Sequence, residues 1–133
     1  MPGNDALLTQ AVNAFRAGQL DTAERTLKRI LSETPKNLPA LNILGVLLAS
    51  KKRYAEAEPY FKSALKIDST SDSTFYNYGI VLKGLNRPAE ALRNFDKAVA
   101  INPSRRFAVT RHFPTLRSAW IRTRENDHPA RAG

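Results

Sequence analysis

Cysteine is absent from this 133-residue chain. That excludes a disulfide framework, a thiolate metal site and a thiol nucleophile. Histidine is nearly absent too. The two present, His112 and His128, lie in an irregular C-terminal stretch, which gives a histidine-based triad or metal cluster no support. Phosphate-cradling G-x-x-x-x-G-K and G-x-G-x-x-G patterns are missing. Glu56 and Glu58 are paired in sequence, but at i, i+2 of a helix they do not face each other, so their expected role is at the helix start and in solubility. These absences point away from an enzyme, a bound cofactor, a metal or a small-molecule substrate. Long apolar runs are also lacking. The longest, LPALNILGVLLAS at 38–50, contains Asn42 and is too short to span a bilayer. The first residues, MPGNDALLTQ, have no basic region followed by an apolar one, so no secretory signal is expected and the expected location is cytoplasmic.

What is present is a repeat. Gly45 and Gly79 are 34 residues apart, and so are Ala57 and Ala91, Phe61 and Phe95, and Ala64 and Ala98. A further step back reaches Ala11, Ala23 and Leu27. The frames are 4–37, 38–71 and 72–105. Within a frame, Leu41, Leu44, Gly45 and Leu48 follow helical spacing, and Ala57, Phe61, Ala64 and Leu65 do so again after a break at 51–54. Each frame is therefore two helices of about 14 residues, roughly 21 Å long. Pro39 and Pro88 suit first turns, where a missing N–H matters little. Pro35 and Pro103 close their frames. Pro59 falls inside its helix and predicts a slight kink. A glycine inside a helix costs about 1 kcal/mol relative to alanine. Gly45 and Gly79 are expected where paired helices come closest, with Ala57 and Ala91 as the small surface opposite. One helix pair cannot bury both apolar stripes, so the pairs must stack into one array.

This pattern resembles the tetratricopeptide repeat family. Frame 72–105 carries the fullest match, in Phe75, Tyr78, Gly79, Leu82, Ala91, Phe95, Ala98 and Pro103. Frame 38–71 matches with Leu41, Leu44, Gly45, Leu48, Ala57, Phe61 and Ala64, while Ser69 replaces the closing proline. Frame 4–37 is looser, as Gln10 and Ile30 depart from the pattern. The resemblance implies an all-α right-handed α-α superhelix of three helix-turn-helix repeats over residues 1–105, plus a C-terminal capping helix. It also implies that the first helix of each pair lines a concave groove that binds a peptide or helix of a protein partner. Groove positions read this way are Leu8, Val12, Asn42, Ile43, Val46, Tyr76, Asn77, Ile80 and Lys83, an apolar floor with a few polar handles. Chaperone-binding members grip a terminal carboxylate with Lys, Asn and Arg. The matching positions here hold Leu8, Val12, Ile43, Ser73 and Asn77, none of them basic, so no carboxylate clamp is expected. Self-association through the same face is the alternative. Similar repeats also precede catalytic domains such as glycosyltransferases, so the chain could be the repeat-bearing part of a larger protein.

The net charge is +9, and it is uneven. Residues 104–133 hold seven arginines, no lysine and two acids. A basic balance raises the prior for nucleic acid or anionic membrane. Lys51, Lys52 and Arg53 form the longest basic run, in an interhelical turn, and Lys28, Arg29, Lys62, Lys66, Arg93 and Lys97 fall on second helices. Without interleaved aromatics these read more simply as solvated surface than as an RNA footprint. After Arg105 the repeat fails, as Phe113 stands in the glycine position and Pro114 follows. Residues 106–124 are expected to cap the third repeat through a short helix over 115–124, with Leu116, Ala119 and Trp120 on one face. Docking on a partner or membrane is the rival use, and a tail that has lost its original sequence a third. Residues 125–133 are expected to be disordered.

Overall fold

The computed structural model describes residues 2–112 and Pro114. Among them lie seven helices: α1 Pro2–Arg16, α2 Leu20–Glu33, α3 Leu38–Ser50, α4 Tyr54–Ile67, α5 Asp72–Gly84, α6 Pro88–Ile101 and α7 Arg105–His112. The helix ends keep the period of the sequence. α2, α4 and α6 start and stop at equivalent residues, and so do α3 and α5.

Local chemistry sets those bounds. The side chains of Asn37 and Ser71 accept hydrogen bonds from the Ala40 and Thr74 N–H groups, satisfying a donor the first turn leaves open. Pro39 and Pro88 sit in the first turns of α3 and α6. α2, α4 and α6 have no side-chain cap; the turn before each fixes its entry instead. That turn passes through a left-handed residue at equivalent positions, Gly18, Lys52 and Asn86, with φ of 78°, 62° and 60°. The next N–H then reaches back five residues, from Gln19 to Ala14, Arg53 to Leu48 and Arg87 to Leu82, at 2.8, 2.9 and 2.9 Å. This closure satisfies a carbonyl at the end of the first helix while turning the chain. α4 runs on through Pro59 to Ile67.

The helices stack as antiparallel neighbours. α1 packs on α2, α3 on α4 and α5 on α6; α2 then packs on α3, and α4 on α5. α1, α3 and α5 also touch in sequence along one side of the stack. The fully buried side chains Leu27, Ile30, Leu44, Leu47, Leu48, Phe61, Val81 and Phe95 form a core that runs through all three pairs.

The glycines face aromatic rings. A Cβ on Gly45 would lie 2.6 Å from the ring of Phe61, and one on Gly79 would lie 2.6 Å from the ring of Phe95. The nearest atoms belong to the phenylalanine sixteen residues on, with Ala57 and Ala91 also fully buried in the same core. In the first pair the same positions hold Ala11 and Leu27, both fully buried. The smaller side chain leaves room for the extra methyl, so the pairs conserve summed volume.

Ion pairs repeat with the same period. Arg53 on its turn reaches Glu24 of the preceding pair at 2.7 Å and Glu56 of its own helix. Arg87 likewise reaches Glu58 at 2.9 Å and Glu90. Lys28 and Lys62 add i, i+4 contacts to Glu24 and Glu58. Lys51 bridges Asp21 and Glu24, and the Tyr78 hydroxyl donates to Glu58 at 2.7 Å. Hydrogen bonds from Arg53 and Lys28 bring the Glu24 carboxyl down to about 2, against the burial that would raise it. At Glu58 burial pushes upward, and hydrogen bonds from Tyr78 and Arg87 outweigh it, leaving the carboxyl below its ordinary value.

The stack continues past the third pair. Val109 of α7 is fully buried and takes the position of Phe75 and Leu41, so α7 begins like the first helix of a further pair and packs on α6. Covering of α6 thus starts at Arg105, ten residues before the helix expected at 115–124; that segment and residues 125–133 lie outside the described residues.

Two outcomes test this packing. Gly45→Ala gains up to about 1 kcal/mol of helix propensity but meets a fully buried ring, an overpacking cost of about 1–3 kcal/mol. Urea unfolding should show a net loss. The folded state holds the Glu24 proton less tightly than the unfolded chain, whose ordinary value is 4.5. Its contribution is therefore complete above pH 4.5 and is lost as pH falls toward 2. Glu24→Gln should cost about 2 kcal/mol at neutral pH and give a shallower acid limb, measured by thermal melts across that range.

Candidate functional site

The sequence-chosen groove residues fall on α1, α3 and α5, the three helices that touch along one side of the stack. The 34-residue equivalence sorts eight of them into rows: Leu8, Asn42 and Tyr76; Ile43 and Asn77; Val12, Val46 and Ile80. All eight are half-buried, and Lys83 beyond them is exposed. Leu8, Ile43, Val46, Tyr76 and Ile80 rest on the core from one side. Such side chains are already partly ordered and keep apolar surface in water, which a partner could cover at reduced entropic cost.

Two of these residues have structural duties as well. The Asn42 side-chain carbonyl accepts from the Thr74 hydroxyl at 2.9 Å, tying α3 to α5. Thr74 is 1% exposed, and nothing in the repeat pattern marked it. The Tyr76 ring lies 5.9 Å from that of Phe95, and the Arg105 guanidinium sits 5.0 Å over its face. Arg105 donates to Asp72 at 2.8 Å, and Asn102 does so at 3.1 Å. Those hydrogen bonds hold the Asp72 carboxyl below its ordinary value against burial. Burial pushes the Tyr76 hydroxyl up, and the charges of Arg105 and Arg111 offset part of that rise. The Asp72–Arg105 pair was not legible in the repeat, because Leu38 stands where Asp72 would recur.

The basic run in the turn belongs to the packing. Lys51 and Arg53 are committed to Asp21, Glu24 and Glu56, and Lys52 occupies the left-handed corner. On α6, Lys97 lies 5.5 Å over the Phe75 ring. Glu58, read from sequence as a solubility residue, accepts from Tyr78 and Arg87. Its partners are 20 and 29 residues away, a separation invisible to local spacing rules. Among the described residues no three acidic, histidine or cysteine side chains come together as a metal site, and no helix is long and apolar enough to cross a membrane.

Comparison with known proteins gives a consistent picture. Two family profiles, both described as tetratricopeptide repeat, match residues 8–72 and 73–105. The human protein O-mannosyl-transferase TMTC3 is 30% identical over 100 residues, 73% of this chain and 11% of that protein. The Thermobaculum terrenum O-GlcNAc transferase structure superposes with a TM-score of 0.72 at 30% identity, over 75% of this chain and 19% of that one. The first TPR of Spaghetti (RPAP3), bound to HSP90 peptide SRMEEVD, superposes with a TM-score of 0.79 at 17% identity, over 89% of this chain and 93% of that one. The chain thus spans about a tenth of the length of the O-mannosyl-transferase it matches.

Structural and surface roles on this face separate by stability. Thr74→Val removes the hydroxyl held by Asn42 and should cost about 1 kcal/mol. Asn77→Ala should stay within about 0.5 kcal/mol of the parent. Chemical denaturation of both variants checks the pair.

Proposed function

We propose, since this chain belongs to the tetratricopeptide repeat family, that it is a protein-interaction module whose α1–α3–α5 face binds a segment of a protein partner. The observation that carries the reading is the set of half-buried apolar side chains, Leu8, Val12, Ile43, Val46 and Ile80, aligned on three consecutive first helices. Apolar anchors of this kind dominate the energy of peptide recognition. The Spaghetti repeat domain, alike in fold and bound to a peptide, supports a peptide-sized occupant. The residues at clamp positions, Leu8, Val12, Ile43, Ser73 and Asn77, favour side-chain anchoring over capture of a terminal carboxylate.

A second reading rests on a specific likeness. The 30% identity to an O-mannosyl-transferase and to an O-GlcNAc transferase supports a repeat segment of a larger glycosyltransferase-like protein. In that setting the same face would hold polypeptide near a catalytic domain.

The test is the double variant Val46→Arg, Ile80→Glu, compared with wild type by cross-linking and affinity capture, with circular dichroism melts as a folding control. The expected result is loss of the wild-type partner set from a folded variant. An unchanged partner set rejects the groove. Light scattering at high concentration separates self-association, since a strict monomer excludes a second copy as the occupant.

A further inference from the structure

We infer that α7 is a fourth wall of the groove and that it selects acidic segments, so that the partner's bound stretch carries carboxylates beside its apolar anchors. The inference rests on the groove reading above and names the partner's chemistry. Val109 fixes the orientation of α7, because its complete burial turns that face to the core. Phe107 and Arg111, two residues to either side of Val109 and four apart from each other, share the opposite face. By the 34-residue equivalence they continue the rows of Ser73 and Asn77 on α5.

Both side chains point to a ligand. Phe107 is 77% exposed, the most exposed large apolar side chain among the described residues. Arg111 is exposed, close enough for its charge to act on Tyr76, and no ion pair among the described residues engages it. Arg105, by contrast, is committed to Asp72 and to the Tyr76 ring. Lys83 is the one charged residue among the groove positions named above, and Arg111 adds a further positive charge. An extended segment crossing from α3 to α7 therefore meets apolar floor first, then an aromatic ring and positive charge. Carboxylates complement that charge, and the aromatic ring takes an apolar neighbour.

The experiment uses the full 133-residue chain and fluorescence anisotropy. The probes are a short labelled peptide of repeating Leu-Glu-Ser and its Leu-Gln-Ser counterpart. Wild type should bind the acidic peptide about five-fold more tightly, the scale of an exposed ion pair. Arg111→Glu should abolish that preference while leaving the affinity for the neutral peptide unchanged. Phe107→Ala should weaken both. Melts should match the parent, because neither side chain is buried. No saturable binding of the acidic peptide, equal binding of the two peptides, or a preference that survives Arg111→Glu overturns the inference. If the Val46→Arg, Ile80→Glu variant loses both peptides while wild type shows no acid preference, the groove stands and the α7 selection falls. If that variant binds both peptides as wild type does, the groove reading itself falls. A single-stranded oligonucleotide that displaces the acidic peptide at lower concentration than unlabelled peptide does would assign the charge to nucleic acid and overturn the inference.

Discussion

The stack depends on how closely two helices of a pair can approach. In the second and third pairs that distance is set by a phenylalanine ring seated on a bare glycine backbone, with no room for a Cβ. The ring is fully buried in each case, and Phe61 also stacks on Tyr78 of the following pair at 6.3 Å between centroids. The seat therefore does two things. It fixes the spacing within a pair, and it presents a flat apolar surface on which the next pair docks. The first pair reaches the same end with Ala11 and Leu27, a smaller knob against a shallower seat. What recurs is a volume relation, and residue identity follows from it.

A polar ladder runs beside that core. Arg53 and Arg87 each bridge a glutamate of their own helix and one of the pair before. Because each arginine stands just after the left-handed corner, the turn that reverses the chain also aims the guanidinium backward. Stacking in the wrong register would bury Glu24 or Glu58 without a partner, which costs several kcal/mol, of the order of 3–5. The ladder stops at the third pair, where Leu92 takes the place of Glu24 and Glu58. α7 is held differently, by buried Val109 and by the Arg105–Asp72 pair.

The all-helical fold, the helix pairs and their apolar positions were legible in the sequence because each is local or periodic. Proline in first turns, glycine at fixed offsets and apolar residues at helical spacing all act within a few residues. What stayed hidden was non-periodic or long-range. Glu58 reads alone as a surface acid, and only the stack brings Tyr78 and Arg87 to it. Thr74 reads as an ordinary helix residue, yet its burial and its bond to Asn42 come from the approach of α3 to α5. At the glycines a close approach was expected, and the ring sixteen residues on, which makes it so tight, was not named in advance. The rows proposed as a groove could be drawn from the sequence because they recur at the 34-residue period. α7 opens at Arg105, at the edge of the segment 106–124 expected to cap the stack, while the helix expected at 115–124 lies outside the described residues.

The same first helices carry both buried seats and half-buried apolar rows. One face of α3 and α5 gives up its side chains to bring rings close, and the other keeps partly covered apolar residues available. If the seat spaces the helices, then enlarging the glycine and shrinking the ring must compensate. A double-mutant cycle of Gly79→Ala and Phe95→Leu in equilibrium urea unfolding measures this directly. Each single change should destabilise, and the pair together should cost less than the sum, by at least about 1 kcal/mol. Strict additivity would contradict a spacing role for the seat.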